Sequence, residues 1–184
     1  MRNSSTGLLI AAFLMPLLLA ACAGGGGSGV AVSASLRDSL SGLWLYDAQK
    51  TYRSAENLRI MRDDMMRGGM SGSEADKILR QVLPQSIAVM EGGSLEFDFA
   101  AKILKARTKT PPPDLQPFSF ERTFVVLRSD GGSLTLLLGE SRYPSGNPVP
   151  QSIMTFHIEK DGNGREVLVA ELTNGMKGYL HRGR

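Results

Sequence analysis

The spacing of apolar residues along the chain changes at about Ser94. Before that point apolar residues recur every three or four positions, which is typical of one face of a helix; after it they alternate with polar residues, which is typical of a strand. Phe97 and Phe99 share one side of the first such strand, and Glu96 and Asp98 share the other. The pattern predicts helices before the change and an antiparallel sheet with one buried face after it.

Two helices are predicted between residues 48 and 90. Asp47 can cap the first helix, which runs to about Arg67 and is stopped by Gly68 and Gly69. Its apolar face holds Tyr52, Ala55, Leu58, Met61 and Met65.

The second helix is predicted to begin at Ser71 or Ser73, because Ser71 and Glu74 have the spacing of a capping box. Its apolar face holds Ala75, Ile78, Leu79 and Val82. Pro84 is expected to end it, since proline lacks a backbone N–H and its ring clashes with the preceding turn. The two apolar faces must be buried against each other or against the sheet.

Eight strands are predicted, seven of them after the helices. They are Gly42 to Asp47, a strand from Ser94, Ile103 to Lys109, Phe118 to Arg128, Leu134 to Gly139, Ile153 to Lys160, Arg165 to Leu172 and Met176 to Arg182. Short loops of turn-forming residues join most of them. The predicted fold is α+β and mainly β: an antiparallel meander that closes into a barrel, which removes exposed strand edges, with a two-helix insert after strand one.

The N-terminal residues have the layout of an export signal. Arg2 is followed by an apolar run from Leu8 to Leu19, which is too short to span a membrane. The motif Leu19-Ala20-Ala21-Cys22 resembles the lipobox of bacterial lipoproteins. This resemblance implies cleavage before Cys22 and acylation of its sulfur and new amino group. Two or more acyl chains hold a protein stably on a membrane.

Two features after Cys22 extend this interpretation. Ala23, by resemblance to the sorting pattern of bacteria with two membranes, favours the periplasmic face of the outer membrane. Residues 24–29 are glycine apart from one serine, which predicts a flexible tether. The expected organisation is a signal peptide at 1–21, a lipidated cysteine and tether at 22–35, and a single domain at 36–184.

The first and last predicted strands carry a second resemblance. Gly42-Leu43-Trp44 and Tyr179-Leu180-His181-Arg182 resemble the G-x-W and terminal-arginine signature of lipocalin-like barrels. The resemblance implies that Trp44 closes the narrow end of the barrel and that Arg182 packs across it. The chain departs from that family because it has no T-D-Y type motif and places helices after strand one. That order is similar to a loose group of small bacterial envelope proteins whose function is mostly unassigned.

Composition narrows the possible chemistry. The 184 residues carry a formal net charge of +3 and include one cysteine, Cys22. The domain therefore has no internal disulfide and is held by burial alone, and a zinc–thiolate site is excluded. The small charge gives no indication of nucleic-acid binding. Because no nucleophile motif, phosphate loop or ligand cluster occurs, we predict no enzyme activity, cofactor or metal.

Histidines and methionines are the candidate metal ligands. His157 and His181 are the only histidines, and both are predicted to face solvent, although two histidines on separate strands could share a metal. Met61, Met65 and Met66 have helical spacing, which favours core packing over binding of a soft metal.

Two groups of charged side chains could have either a functional or a purely structural role. Glu96 with Asp98, or Asp63 with Asp64, could act as acid and base, but solvent-facing positions explain both pairs. A basic run could bind anionic lipid head groups or lipopolysaccharide phosphate, or could protect a strand edge from pairing. The run consists of Lys102, Lys105, Arg107 and Lys109.

Two functions are open at this stage. The first is a membrane-anchored, non-enzymatic binding module whose barrel holds a small apolar or lipid-like ligand. The second is a structural or accessory envelope lipoprotein, whose filled barrel docks on another envelope protein. An eight-stranded barrel suits either, since side chains can fill it or leave room for one small ligand. The residues predicted to line the interior are Phe97, Phe99, Leu136, Leu138, Phe156 and Ile158.

Overall fold

A computed structural model describes residues 30–108, 119–142 and 148–183. Cys22, Ala23 and Lys109 lie outside these ranges. The helices are α1 (Ala34–Leu40), α2 (Ala48–Arg53), α3 (Ala55–Arg67) and α4 (Gly72–Met90). The strands are β1 (Leu43–Tyr46), β2 (Ser94–Asp98), β3 (Ile103–Arg107), β4 (Ser119–Asp130), β5 (Ser133–Leu138), β6 (Ser141–Arg142), β7 (Pro148–Val149), β8 (Ser152–Lys160), β9 (Glu166–Leu172) and β10 (Lys177–Arg182). No helix within the described ranges is both long enough and apolar enough to cross a bilayer.

Eight strands form one closed antiparallel barrel in the order β1-β10-β9-β8-β5-β4-β3-β2. β1 closes it by pairing with both β2 and β10, so Trp44 lies between Leu95 and Arg182. The predicted fold class is confirmed: an antiparallel meander closes into a barrel consistent with a lipocalin-like barrel, and helices follow the first strand. We call the end at which β1 begins the lower end of the barrel, and the opposite end the upper end.

The alternation of side chains along the strands places the core inside the barrel. In β5, Leu134, Leu136 and Leu138 are buried, while the residues between them are only half-buried. A strand with this period of two must turn one full set of side chains inward. Two features were not predicted: a bulge in β4 between Val126 and Arg128, and the small pair β6–β7 in the proline-marked loop.

The helix α1 precedes strand one, where the sequence pattern predicts no helix. Ser33 caps it by accepting a hydrogen bond from the Leu36 N–H at 3.2 Å. Leu36 and Leu40 are buried, and Val32 is buried just before the cap. A helix of seven residues shows too few apolar repeats for its period to be recognised.

The first predicted helix is wrong in one respect: it is not continuous, because Ser54 divides it into two helices, α2 and α3. Ser54 has an extended backbone (ψ 135°) and ends α2, and its hydroxyl then caps α3 by accepting from the Asn57 N–H. The break rotates the buried face, so that Asn57 and Ile60 are buried and Ala55 is exposed. A side chain that can cap a new helix offers the backbone this alternative to continuing the old one.

The predicted end of the second helix at Pro84 is also wrong, because α4 continues to Met90. Pro84 is exposed, so its ring faces solvent, whereas Val82 and Ile87 on either side of it are buried. Burial of the flanking apolar residues offsets the cost of a proline in a helix interior, which is about 3 kcal/mol. The predicted capping box of Ser71 and Glu74 is confirmed.

Candidate functional site

The lower end of the barrel is closed by Trp44 and Arg182, as the resemblance to lipocalin-like barrels implies. The indole is fully buried, and the Arg182 guanidinium lies over it, 4.5 Å from the ring centroid. A cation is attracted to an aromatic face within about 6 Å. Arg182 Nε also donates to Glu166 at 3.1 Å. Gly42 has a φ of +100°, which favours glycine at the start of this motif.

The helix α1 is bonded to this closure by its last carbonyl groups. Trp44 Nε1 donates to the Leu40 carbonyl at 2.8 Å. The two terminal nitrogens of Arg182 donate to the carbonyls of Ser39 and Ser41, at 2.5 and 2.7 Å. The last carbonyls of a helix have no partner within the helix and carry partial negative charge, so a guanidinium suits them. One cation thus joins the last strand, the first strand and α1.

The middle of the barrel is bridged by aromatic side chains. Phe97 on β2 and Phe156 on β8 contact edge to face, with their ring centroids 5.0 Å apart. β2 and β8 are four strands apart in either direction around the eight-stranded ring, so this contact crosses the lumen. Phe99 stacks on Phe97 at 5.7 Å and meets Phe124 at 5.9 Å. The predicted interior residues belong to the core or pack against it, and the contact of Phe97 with Phe156 spans the lumen.

The upper end holds a buried arginine that the sequence analysis missed. Arg122 is fully buried, and its Nε donates to the Gly139 carbonyl at 2.9 Å. Its terminal nitrogens donate to Ser152 Oγ at 2.9 Å and to the carbonyls of Leu138 and Pro150, at 3.2 and 2.6 Å. A buried charge is tolerated only when its N–H groups find acceptors, and these acceptors join β4 to β5 and to the segment leading into β8.

The position of Arg122 could have been recognised from the strand period. Arg122 and Phe124 lie two residues apart on β4, so they point to the same side, and Phe124 is plainly a core residue. An arginine in that register must either break the strand or be buried with partners.

Two hydroxyl groups on the helices are buried without a hydrogen-bond partner in the described part of the chain: those of Tyr52 on α2 and Ser86 on α4. The Tyr46 hydroxyl at the end of β1 is also buried, and it interacts with the Thr51 side chain. Burial raises the pKa of Tyr46 well above its ordinary value, Tyr52 nearby adds to the effect, and Thr51 opposes it. Burial also raises the pKa of Tyr52. Both phenols therefore stay neutral at physiological pH, and each can still donate one hydrogen bond.

The helices are held to the barrel by two polar side chains. Asn57 Nδ2 donates to the Thr51 and Lys177 carbonyls at 2.7 and 2.6 Å, and Asn57 Oδ1 accepts from the Lys177 N–H at 3.0 Å. Thr51 Oγ1 accepts from the Tyr179 N–H at 3.0 Å. Both side chains are fully buried. They complete the backbone hydrogen bonds at the start of β10. The sequence did not predict this role, because Thr51 and Asn57 are polar residues in predicted helices.

The two histidines lie on the outer side of the barrel, as predicted, and each contacts its own carboxylate. His157 lies 2.9 Å from Glu159, and His181 lies 2.8 Å from Asp47. Across the ranges that the structure covers, no three His, Cys, Asp or Glu side chains are grouped so as to hold a metal ion.

The charged pairs that were considered for catalysis are occupied by local contacts. Asp98 accepts from the Ala101 N–H, which lowers its pKa more than the nearby Lys105 ammonium does, and lies 3.6 Å from that ammonium. Asp63 pairs with Arg59, and Asp64 pairs with Arg67. Lys105 of the basic run is therefore partly neutralised by Asp98.

Comparison with protein-family models, with curated proteins and with solved structures finds no match for this chain. The architecture is a closed eight-stranded antiparallel barrel. Its lower end has the contact that the lipocalin-like signature implies.

Proposed function

We propose that the protein is a membrane-anchored periplasmic lipoprotein without enzymatic activity, whose filled barrel serves as a structural or accessory scaffold that docks on another envelope protein. The contact of Phe97 with Phe156 across the lumen supports this proposal over a carrier function. A ligand at that level would have to displace a phenylalanine ring from packed neighbours. The outer surface is then the part of the domain available for recognition.

The membrane anchor in this proposal is Cys22, and the support for it is the motif in the sequence. We expect Cys22→Ser to move the protein from the membrane fraction to the soluble periplasmic fraction, because the acyl chains are the only strong hydrophobic anchor. Ala23→Asp is the matched control: it keeps the acylated cysteine and should shift the protein to the inner membrane. A Cys22→Ser protein that still sediments with membranes after a salt wash would contradict the anchor.

A second candidate, binding of a small apolar or lipid-like ligand, is favoured by the buried hydroxyls of Tyr52 and Ser86. Buried polar atoms without partners are uncommon, and each is a place where a ligand atom can be recognised. A ligand here would lie between the helices and the upper end rather than in the middle of the barrel. Tyr52→Phe should reduce its retention while keeping the packing of the ring.

A further inference from the structure

An exposed apolar surface lies on the outer side of β4. Val125 and Leu127 are 40% and 39% exposed. Leu137 on β5 lies opposite Val125, Ile153 on β8 lies opposite Leu137, and both are partly exposed. We call these four residues the β4 strip. Leu127 is the bulged residue of β4, without a partner on β5, and Val125 lies two residues before it. Contiguous exposed apolar residues mark interaction surfaces.

The start of the described chain lies beside this strip. The Val30 N–H donates to the Val126 carbonyl at 3.2 Å, and Val30 is itself 46% exposed. Along the same edge of β4, pairing with β3 ends near Phe124, whose N–H donates to the carbonyl of Lys102, just before β3. Val30 therefore adjoins the part of β4 beyond β3. The described chain therefore begins next to the β4 strip.

The length of chain before Val30 limits the position of the membrane. Seven residues separate Cys22 from Val30, and a chain of that length spans at most about 28 Å when fully extended. A compact domain of this size is about 40 Å across. An acylated Cys22 therefore keeps the β4 side close to the bilayer. The helix α3 lies on another side of the barrel, because its Asn57 bonds to Lys177 at the start of β10, four strands from β4 around the ring.

We propose that the β4 strip rests on the phospholipid surface in which Cys22 is anchored, an inference that depends on the lipid anchor of the proposed function. Apolar side chains enter the boundary between head groups and acyl chains. The nearby charges are of both signs, since Arg128 pairs with Asp130 at 2.6 Å. Apolar contact therefore holds the strip on the lipid, and added salt should change the binding little. The helical layer then faces the periplasm.

Lipid contact can be measured on the full lipidated protein in vesicles of phosphatidylethanolamine and phosphatidylglycerol at low protein density. Acylation blocks the sulfur of Cys22, the only native cysteine, so Leu127→Cys supplies the single thiol for a fluorescent label. Met66→Cys is the matched control, because Met66 is 43% exposed and lies near the α3–α4 turn. We expect lipid-borne nitroxide to quench the label several-fold more at 127 than at 66, and aqueous iodide to show the opposite order. Val125→Glu should reduce the lipid quenching at 127.

Flotation of the same samples separates the possible failures. Equal quenching at 127 and 66 in protein that floats with the vesicles overturns the docking of the strip and leaves the anchor standing. Protein that does not float overturns both. Shielding of the label at 127 that appears only at high protein density assigns the strip to a second copy of the chain, and also overturns lipid docking.

Discussion

The two ends of the barrel are each held by one arginine, in opposite environments. Arg182 at the lower end has a side chain that is 39% exposed, and it binds the face of Trp44, two carbonyls of α1 and Glu166. Arg122 at the upper end is fully buried, and its hydrogen bonds run mainly to backbone carbonyls of neighbouring strands. One arginine lies over a core aromatic ring, and the other is itself part of the core.

The two ends of the barrel are therefore stabilised by different side chains. At the lower end the buried indole supplies the stability and Arg182 adds a cover, so loss of the arginine opens no void. At the upper end Arg122 itself fills the space and satisfies the carbonyls, so its loss leaves buried acceptors without donors. The ends should therefore respond very differently to removal of their arginines.

The largest effect is expected for Trp44→Ala. Removal of a fully buried indole leaves a large void and should lower the free energy of unfolding by about 3–5 kcal/mol. Trp44→Phe keeps most of the volume and should cost clearly less. Urea denaturation followed by circular dichroism measures both variants. A cost for Trp44→Ala below that of Arg182→Ala would contradict the assignment of the lower end to the indole.

Arg122→Met should come next, at about 3 kcal/mol, because methionine matches the stem but leaves buried carbonyl groups unsatisfied. Arg128→Met is the matched control: it lies on the same strand with its side chain 75% exposed, and such surface changes usually stay within about 0.5 kcal/mol. The same denaturation measurement applies. Similar costs for the two variants would show that burial of Arg122 does not matter.

Alkaline pH should weaken the upper end while leaving both arginines charged. Burial raises the pKa of Tyr46 and Tyr52, so the folded protein keeps two protons that the unfolded chain loses above about pH 10. Stability is therefore complete below that pH and falls as the pH rises toward the folded-state pKa, by about 1.4 kcal/mol per pH unit for each tyrosine. Tyr179 and Lys177, whose pKa values are also raised, add to the slope. Tyr52→Phe should therefore make it shallower without abolishing it; an unchanged slope would rule out its contribution.

The smallest of these effects is expected for Arg182→Ala, about 1–2 kcal/mol, from loss of the cation over the indole and of its stem packing. Arg165→Ala is a control, because Arg165 forms its ion pair within one hairpin and its side chain is 68% exposed. A double-mutant cycle between Trp44 and Arg182 should give a coupling of about 1 kcal/mol. Coupling near zero would mean that the two side chains lie together without contributing to closure.

The sequence predicted those parts of the fold that have a local period or a motif. Apolar runs, alternation and turn residues together predicted all eight strands of the barrel, and the resemblance of the G-x-W motif and terminal arginine to lipocalin-like barrels predicted the contact of Trp44 with Arg182. The capping box at Ser71 is also a local signal, and it appears as predicted.

What the sequence did not show depends on contacts between distant residues. Pro84 continues a helix because its neighbours are buried by other elements. Arg122 is buried because carbonyls from β5 and from the segment before β8 accept its hydrogen bonds. Asn57 looks like a surface residue until the start of β10 is placed beside it. Propensity rules do not contain these partners.

If side chains fill the barrel, the domain works through its surface. Native mass spectrometry of the domain purified from its native host, with any lipid anchor removed, measures whether the interior holds a ligand. We predict the mass of the bare polypeptide. A stoichiometric apolar ligand on the native domain would contradict a filled barrel and would favour the ligand-binding function instead.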